Sequence, residues 1–416
     1  MGKKCAFTIC TRSYQGLAET LRDSFLEFNP GFDFFIIYAD LEDVSNFASA
    51  KTIMMQYISE EKYEEMAFKY DLTEFCTSIK PFVFLYLLEK SYELAVYFDP
   101  DLVFFSKFEE LNDCSKIAYI TPHILTAQGK EYMGKQTDNL ILRCGIYNCG
   151  FIAFRNSVKS LEIINWWKDK LQDLAYNDPW LGLFTDQRWI DFLPAFISQE
   201  ELCIIKNAGC NLAPWNYYER KIEKKENLFY VISRNKKFNT NYKLVFIHAS
   251  GYNYKQLCNG KIFHNSRDLL ETNDIDELLH IYGEKLKMHN TESYFSIPYK
   301  YNYFSDGNPI IKIHRRIIRR ACEENVLFNN LFDSNGNYYK YLKQNKMILK
   351  NAVNNITPKN TENYGKKFLL LTQFLKMCKN ILGIKKFIQF LAGMHKYTRE
   401  EEVALYIGKK SILSEK

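Results

Sequence analysis

Residues 1–250 alternate between two patterns of hydrophobic and polar positions. Short apolar runs rich in Val, Ile, Phe and Tyr predict buried strands, and longer segments with apolar residues three or four positions apart predict amphipathic helices. In 14–28, for example, Leu17, Leu21 and Phe25 recur at helical spacing. The predicted strands are 5–10, 32–40, a run that ends at Phe98, 116–121, 150–156, 202–206 and 243–250, and the predicted helices are 14–28, 80–91, 158–174 and 185–196. This alternation indicates an α/β fold with a mostly parallel sheet flanked by helices.

Helical patterns dominate after residue 290, and basic residues cluster there. From Ile311 onward the chain carries 21 Lys and Arg against 8 Asp and Glu, a net charge of +13, whereas the preceding residues carry −7. We therefore predict an α/β domain over 1–290 and a mostly helical basic region over 291–416. Two interpretations of this region stay open: helices that pack with a solvated basic face, or helices that dock on an anionic membrane or a partner.

The composition excludes several classes of protein. Of 416 residues, 47% are hydrophobic and 25% are charged, as in globular proteins that bury a core. No run of about 18 apolar residues predicts a membrane span, and MGKKCAFTIC lacks the apolar segment of a secretory signal. The 11 cysteines are scattered without a C-x-x-C pair, so we expect reduced thiols and a cytoplasmic protein.

Two carboxylates follow one of the predicted buried strands, in the stretch YFDPDLVFF at 97–105. Pro100 has no N–H for a strand ladder, so the strand is predicted to stop before Asp99 and to leave Asp99 and Asp101 at its carboxyl end. Ligands of open α/β sheets bind at that edge. Mg²⁺ and Mn²⁺ prefer carboxylate oxygens and often bridge them to phosphates, although an ordinary Asp-Pro-Asp turn is the alternative.

The order of several motifs resembles that of GT-A glycosyltransferases, in particular family 8 and its bacterial relatives. The resemblance covers residues 5 to 260 and implies a GT-A fold. In ICTRSY, it implies that Thr11 and Tyr14 hold the nucleotide base. It implies that Lys80, on the helix before the Asp-Pro-Asp stretch, faces the diphosphate and sugar of the donor.

The resemblance extends to three later stretches. Asn148 and Gly150 in YNCGFIAF match a motif that contacts the nucleotide sugar, and so does Gly251 in FIHASGY. An Asp-Gln pair that lies under the donor sugar is matched by Asp186 and Gln187, which are thereby implied to be catalytic. His248 matches the third metal ligand beside Asp99 and Asp101. The lysine of this last motif is displaced by one position, to Lys255.

The resemblance implies a glycosyltransferase that uses Mn²⁺ or Mg²⁺ and a nucleotide sugar, expected to be a UDP-sugar. We expect a glycan or glycolipid acceptor in polysaccharide biosynthesis, with the enzyme in the cytoplasm or peripheral at the inner face of the membrane. Retention of configuration is expected by resemblance, whereas inversion would need a carboxylate base. The candidates for that base are Asp186, Asp191 and Asp138.

Alternative functions are a protein-modifying glycosyltransferase and a non-catalytic scaffold that binds a sugar nucleotide. Neither a P-loop nor a G-x-G-x-x-G motif occurs, which disfavours P-loop and Rossmann enzymes. The basic C-terminal region contains no aromatic-basic module typical of nucleic-acid binding, so no nucleic-acid partner is expected. Trp215 is predicted either to stack on an acceptor sugar or to pack in the core.

Overall fold

A computed structural model describes residues 2–41, 48–113, 115–129, 137–239, 241–264, 272–349 and 364–397. The chain forms two compact units, the first built from 1–59 and 72–299 and the second from 60–71 and 300–416. The short segment 60–71 therefore belongs to the second unit although it lies within the sequence of the first.

The bounds of the elements are as follows. The strands of the described residues are β1 (Lys4–Cys10), β2 (Phe32–Tyr38), β3 (Ala48–Ser49), β4 (Leu94–Phe98), β5 (Leu102–Phe104), β6 (Ala118–Pro122), β7 (Tyr147–Arg155), β8 (Asn177–Asp178), β9 (Leu183–Phe184), β10 (Leu202–Ile204), β11 (Arg220–Lys225), β12 (Leu228–Ser233), β13 (Tyr242–Lys243) and β14 (Phe246–His248). The helices are α1 (Gln15–Phe28), α2 (Ala50–Met54), α3 (Glu60–Lys69), α4 (Leu72–Glu89), α5 (Asp138–Cys144), α6 (Val158–Leu174), α7 (Gln187–Ile190), α8 (Leu193–Phe196), α9 (Tyr254–Cys258), α10 (Asp276–Met288), α11 (Thr291–Tyr294), α12 (Lys312–Glu323), α13 (Asn337–Gln344) and α14 (Tyr364–Tyr397).

A seven-stranded sheet forms the centre of the first unit, in the order β10-β6-β7-β4-β1-β2-β3. All neighbouring strands in it are parallel except β7, which runs antiparallel to both β4 and β6. The predicted α/β fold with a mostly parallel sheet flanked by helices is confirmed. Three smaller sheets of short strands accompany the main one within the described residues.

Hydrophobic side chains alternate between the two faces of this sheet, because successive residues of a strand point to opposite sides. On one face Phe25 of α1 packs against Phe98, with ring centroids 5.1 Å apart. On the other face Phe84 of α4 packs against Phe7 at 4.8 Å and against Phe154 at 5.1 Å. The central strands are therefore buried on both sides, which explains their nearly continuous apolar sequences.

Two helix predictions were wrong in their bounds. Helix α4 begins at Leu72, so Pro81 lies inside the helix rather than in its first turn. The segment 185–196 forms two four-residue helices, α7 and α8, instead of a single helix. The hairpin of β11 and β12 was not predicted. The sequence of β11, RKIEKK, is rich in charged residues, whereas the apolar run LFYVIS of β12 could have indicated a strand.

The second unit is mainly helical over its described residues, as predicted. Its core includes Phe68 of α3 together with Ile317, Ile318 and Tyr338. Three arginines of α12, which are Arg315, Arg316 and Arg319, are 2%, 2% and 4% exposed. The arginines of this helix therefore form neither the predicted solvated basic face nor a surface for lipid, since only Arg320 lies partly open to solvent. Their burial needed tertiary contacts that a helical pattern does not predict.

Helix α14 has a different character, since most of its described side chains are exposed. It is interrupted at Gly383, which has φ +71° and ψ 161°. The search for long apolar helices in the described ranges found none able to span a lipid bilayer.

Candidate functional site

Polar side chains from several elements meet at one edge of the seven-stranded sheet. Strands β1, β2 and β4 are parallel, so the residues that follow them lie at the same edge. Strand β7 runs the opposite way, which brings its first residues to that edge. The backbone N–H of Asp99 donates to the carbonyl of Gly150 at 2.8 Å, and this contact joins the end of β4 to the start of β7.

Asp99, Asp101 and His248 lie together at this edge. Strand β14 pairs with β5 so that His248 is opposite Leu102, the residue after Asp101. His248 Nε2 lies 3.2 Å from Asp101 Oδ1 and 3.8 Å from Asp99 Oδ2. One potential ligand atom from each of the three residues lies within 4.8 Å of the other two. Such a group of two carboxylates and one imidazole could hold a divalent cation.

Two buried tyrosines orient the aspartates. Tyr97 donates its hydroxyl to Asp99 Oδ1 at 2.6 Å, and Tyr254 donates its hydroxyl to Asp101 Oδ2 at 2.8 Å. The other oxygen of each carboxylate is the one that lies nearest His248 Nε2. The tyrosines therefore direct one oxygen of each aspartate toward a common point.

The electrostatics of these three groups are coupled through their short distances. Burial alone would lower the pKa of His248, but the carboxylates of Asp101 and Asp99 raise it above its ordinary value. Burial would raise the pKa of Asp101, whereas His248 and the Tyr254 hydroxyl hold it below its ordinary value. Each shift favours the charged form of its group, and a bound cation would compete with a proton for the imidazole.

Lys80 connects this group to Asp186. Its Nζ lies 2.7 Å from Asp186 Oδ2 and 3.5 Å from Asp99 Oδ1, and it donates to the carbonyl of Cys149 at 2.9 Å. Burial would lower the pKa of Lys80, but Asp186 and Asp99 raise it, so the ammonium stays charged. The pKa of Asp186 is raised by burial in spite of this partner. The Lys80 side chain is only 1% exposed, and the oxygens of Asp186, Asp99 and Cys149 are its polar partners.

Gln187 and Asn148 form a hydrogen-bond network behind His248. Gln187 Oε1 accepts from Asn148 Nδ2 at 3.1 Å and from the backbone N–H of Cys149 at 3.0 Å, while its Nε2 donates to the carbonyl of Cys144 at 3.0 Å. The Oδ1 atoms of Asn148 and Asn211 lie 3.2 and 3.3 Å from His248 Nδ1. These acceptors favour a proton on Nδ1, which leaves Nε2 to face the aspartates.

Gly150 leaves room for the histidine. A Cβ atom at this position would lie 2.3 Å from His248 Cε1, so any other residue would displace the ring. The structure therefore gives Gly150 a steric role in the site that its motif did not indicate. Gly251, with φ +78°, forms the turn after β14 and lies against His264.

The remaining predicted residues lie farther from the three candidate ligands. Tyr14 packs edge-on against Tyr254, with ring centroids 5.9 Å apart, and so contacts the residue that holds Asp101. Thr11 follows β1, and its hydroxyl lies 2.8 Å from that of Ser13. Lys255 is exposed and lies 3.6 Å from Glu292.

The three candidate bases differ in their surroundings. Asp186 is buried beside Lys80, as described above. Asp191 accepts from the backbone N–H of Ile146 at 2.8 Å and from Arg188 Nη1 at 2.9 Å. Asp138 is the first residue of α5 and is exposed.

Several residues of the site were not predicted. Tyr97 could have been found, because it lies two positions before Asp99 and points to the same face of the strand. His123 is buried beside Asn148, and burial lowers its pKa to about 4, so it is neutral. Trp215 was predicted either to stack on a sugar or to pack in the core. Its ring lies edge-on between His123 and His248, with ring centroids 5.2 and 5.0 Å away. No local sequence pattern marks His123, Asn211 or Tyr254 as residues of the site.

No protein-family model matches the chain. Two of its relatives are uncharacterised proteins of Bacillus subtilis (strain 168). The chain is 29% identical to YfnF over 188 residues, which is 44% of this chain and 58% of YfnF. It is 27% identical to YfnD over 188 residues, which is 43% of this chain and 54% of YfnD. The chain thus matches little more than half the length of these curated relatives.

Solved structures that resemble the chain include glycosyltransferases at low sequence identity. The glycosyltransferase GlyE of Streptococcus pneumoniae TIGR4 gives a TM-score of 0.37 at 13% identity, covering 73% of this chain and 67% of GlyE. The galactosyltransferase LgtC, solved with donor and acceptor sugar analogues, gives a TM-score of 0.36 at 11% identity, covering 71% of this chain and 97% of LgtC. At these TM-scores the likeness does not establish what the chain does.

Proposed function

We propose that this protein is a metal-dependent glycosyltransferase that takes a sugar from a nucleotide sugar, a UDP-sugar in particular. The observation that supports this most directly is the convergence of Asp99 Oδ2 and Asp101 Oδ1 on Nε2 of His248. This group lies at the carboxyl end of a mostly parallel sheet, which is the edge where α/β folds bind nucleotides.

The three side chains fit a divalent cation. Ligand atoms around one octahedral ion at about 2.1 Å lie roughly 3 Å apart, close to the 3.2 Å between His248 Nε2 and Asp101 Oδ1. Two carboxylates and a neutral imidazole suit Mn²⁺, and Mg²⁺ is the alternative. When bound, such an ion supplies a positive charge that stabilises the leaving diphosphate.

The neighbouring residues receive supporting roles in this proposal. Lys80 adds a buried positive charge beside Asp99, and its bond to Asp186 fixes that carboxylate near the donor sugar. Gln187 would lie beneath the anomeric carbon, held by its bonds to Asn148 and Cys149. Thr11 and Tyr14 would contact the base, and Asn148, Gly150 and Gly251 would line the donor site.

We propose retention of configuration, and two of the three candidate bases for inversion are held in ion pairs, Asp186 by Lys80 at 2.7 Å and Asp191 by Arg188 at 2.9 Å. We propose a glycan or glycolipid acceptor, reached from the cytoplasm, in polysaccharide biosynthesis. A protein acceptor is the alternative. The intact group of Asp99, Asp101 and His248 favours catalysis over a non-catalytic scaffold.

Thermal unfolding with a panel of nucleotide sugars tests the proposal. A ligand at about 100 times its Kd stabilises by roughly 2.7 kcal/mol, so one UDP-sugar should raise the Tm with Mn²⁺ and much less without it. The same sugar should be hydrolysed slowly, which mass spectrometry detects. Loss of the Mn²⁺ effect in Asp99→Asn is expected. If no nucleotide sugar stabilises the protein, or if the Asp99→Asn variant responds like the wild type, the proposal is wrong.

A further inference from the structure

Helix α14 combines exposed apolar residues with lysines. Residues 364–397 contain seven lysines and neither Asp nor Glu. Large apolar side chains are open to solvent along the helix, with Phe368 55%, Leu370 65% and Ile381 74% exposed. Isolated apolar residues on a surface are common, but contiguous apolar rows of this length mark a contact with a partner or a membrane.

The helix consists of two amphipathic halves. In the first half, apolar residues three or four positions apart form two adjoining rows, which are Leu370, Phe374, Met377 and Ile381, and Leu371, Leu375, Cys378 and Leu382. The opposite side carries Thr372, Lys376 and Lys379. In the second half, Ile384, Phe387, Ile388 and Leu391 share one side and Lys385, Lys386 and Gln389 share the other.

Gly383 lies between the two halves, at the point where the apolar side changes its angular position around the helix axis. At about 100° per residue, a continuous helix would set the two apolar sides roughly 110° apart around the axis. The backbone of Gly383, at φ +71° and ψ 161°, breaks the helix in a region open almost only to glycine. This break frees the two halves to turn their apolar sides toward one surface.

We propose that α14 is a peripheral membrane anchor whose two apolar sides enter the surface of an anionic bilayer. Four of the lysines, Lys376, Lys379, Lys385 and Lys386, lie opposite or beside these apolar sides, where long side chains reach lipid headgroups. A net charge of +7 from lysine alone is complementary to an anionic surface. The buried arginines of α12 do not contribute, so of these two basic helices α14 is the one to which we assign the membrane contact.

Vesicle flotation with the full chain tests this proposal. Vesicles of phosphatidylcholine with phosphatidylglycerol should carry the protein at low salt, and vesicles of phosphatidylcholine alone should carry much less. Replacement of Lys385 and Lys386 by Gln should weaken binding about 30-fold, the equivalent of about 1 kcal/mol per lysine. The matched control replaces Lys236 and Lys237, an exposed lysine pair in the first unit, and should bind like the wild type.

Two further variants separate the apolar and conformational parts of the proposal. Phe374→Ser should weaken binding about tenfold at every salt concentration, because it removes an apolar contact rather than a charge. Gly383→Ala should favour a continuous helix and weaken binding by a similar factor, while circular dichroism shows that the helix persists.

Equal binding to both vesicle types, or wild-type binding by the Lys385 and Lys386 variant, would overturn the proposed membrane anchor. A dimer in sedimentation velocity that Phe374→Ser dissociates would also overturn it, because it would assign the apolar rows to a contact with a second copy of the chain. Asp101→Asn should bind vesicles normally, since the anchor does not depend on the proposed sugar transfer.

Discussion

Two regions of the molecule bury charged side chains, with different consequences. In the second unit, Arg315 of α12 donates to the carbonyls of Phe68, Tyr70 and Tyr301, each at 2.7 Å. In the first unit, Asp99 and Asp101 each accept from one tyrosine and keep an oxygen that faces His248. Phe68 lies in the last turn of α3 and Tyr70 follows that helix, so the arginine donates to carbonyls at a helix end, where backbone acceptors generally need donors from outside the helix.

The difference shows that burial of a charge does not by itself indicate a binding site. Buried polar groups need partners, and Arg315 has protein partners for its donors, so its role is to stabilise the fold. The two aspartates instead keep acceptor capacity that converges on one point. Substitutions in the two regions should therefore separate loss of activity from loss of stability.

The aspartate group should be essential for activity and of limited importance for stability. Asp101→Asn keeps the shape of the side chain and should lower kcat/KM about 10⁴-fold, because it removes several kcal/mol of charge stabilisation around the proposed cation. The matched control is Asp169→Asn, at an exposed carboxylate of α6, which should leave kcat/KM unchanged. Steady-state kinetics and thermal unfolding measure both effects, and nearly full activity of Asp101→Asn would reject the metal role.

Substitution of Arg315 should have the opposite result, a large effect on stability rather than on activity. Arg315→Met should lower the free energy of unfolding of the second unit by about 3–5 kcal/mol, since the carbonyls it satisfies would stay buried without a donor. Arg320→Met removes an arginine of the same helix that pairs with Glu323 and Glu324 near the surface, and should cost less than about 1 kcal/mol. Hydrogen exchange in α3 and α12 measures the loss, and equal protection in the two variants would contradict the prediction.

His314 in the second unit should make the stability of the protein depend on pH. Burial is the main cause that lowers the pKa of His314 to about 4, from 6.5 for a free imidazole; the bond to the carbonyl of Met347 opposes this shift, and the charge of Arg315 adds to it. The unfolded chain binds the proton more tightly, so the stability is full above pH 6.5 and falls as the pH drops toward 4. The total loss should be about 3 kcal/mol.

His314→Gln is the control for this pH effect. It keeps a donor and an acceptor but does not titrate, so the difference between its unfolding curve and that of the wild type isolates the histidine. Parallel curves between pH 6.5 and 4 would show that His314 is protonated in the folded protein.

The smallest predicted effect concerns the tyrosines that orient the aspartates. Tyr254→Phe removes the hydroxyl bound to Asp101 and should weaken Mn²⁺ binding about tenfold in calorimetry, because groups that orient metal ligands tune the affinity of the site. Tyr282→Phe is the control, since Tyr282 is also buried and its hydroxyl has no hydrogen-bond partner among the described residues. Equal affinities of both variants would show that Tyr254 only packs.

The sequence by itself determined the elements whose cause is local. Hydrophobic periodicity predicted most strands of the central sheet, as well as α1 and α6, because burial of one face imposes a period on the sequence. Pro100 ended β4 before Asp99, so the position of the aspartates at a strand end followed from nine residues. The mainly helical character of the C-terminal region was predicted for the same reason.

Only the tertiary structure decided which distant residues meet. Tyr254 is 153 positions from Asp101 and His248 is 100 positions from Asn148, and no periodicity relates such pairs. The burial of Arg315 was equally beyond prediction, since a basic helix has the same sequence pattern whether its arginines face water or carbonyls. Local patterns reflect the free energy of one segment, whereas these contacts depend on how the whole chain closes. The contacts that hold the site residues in place therefore became visible only in the fold.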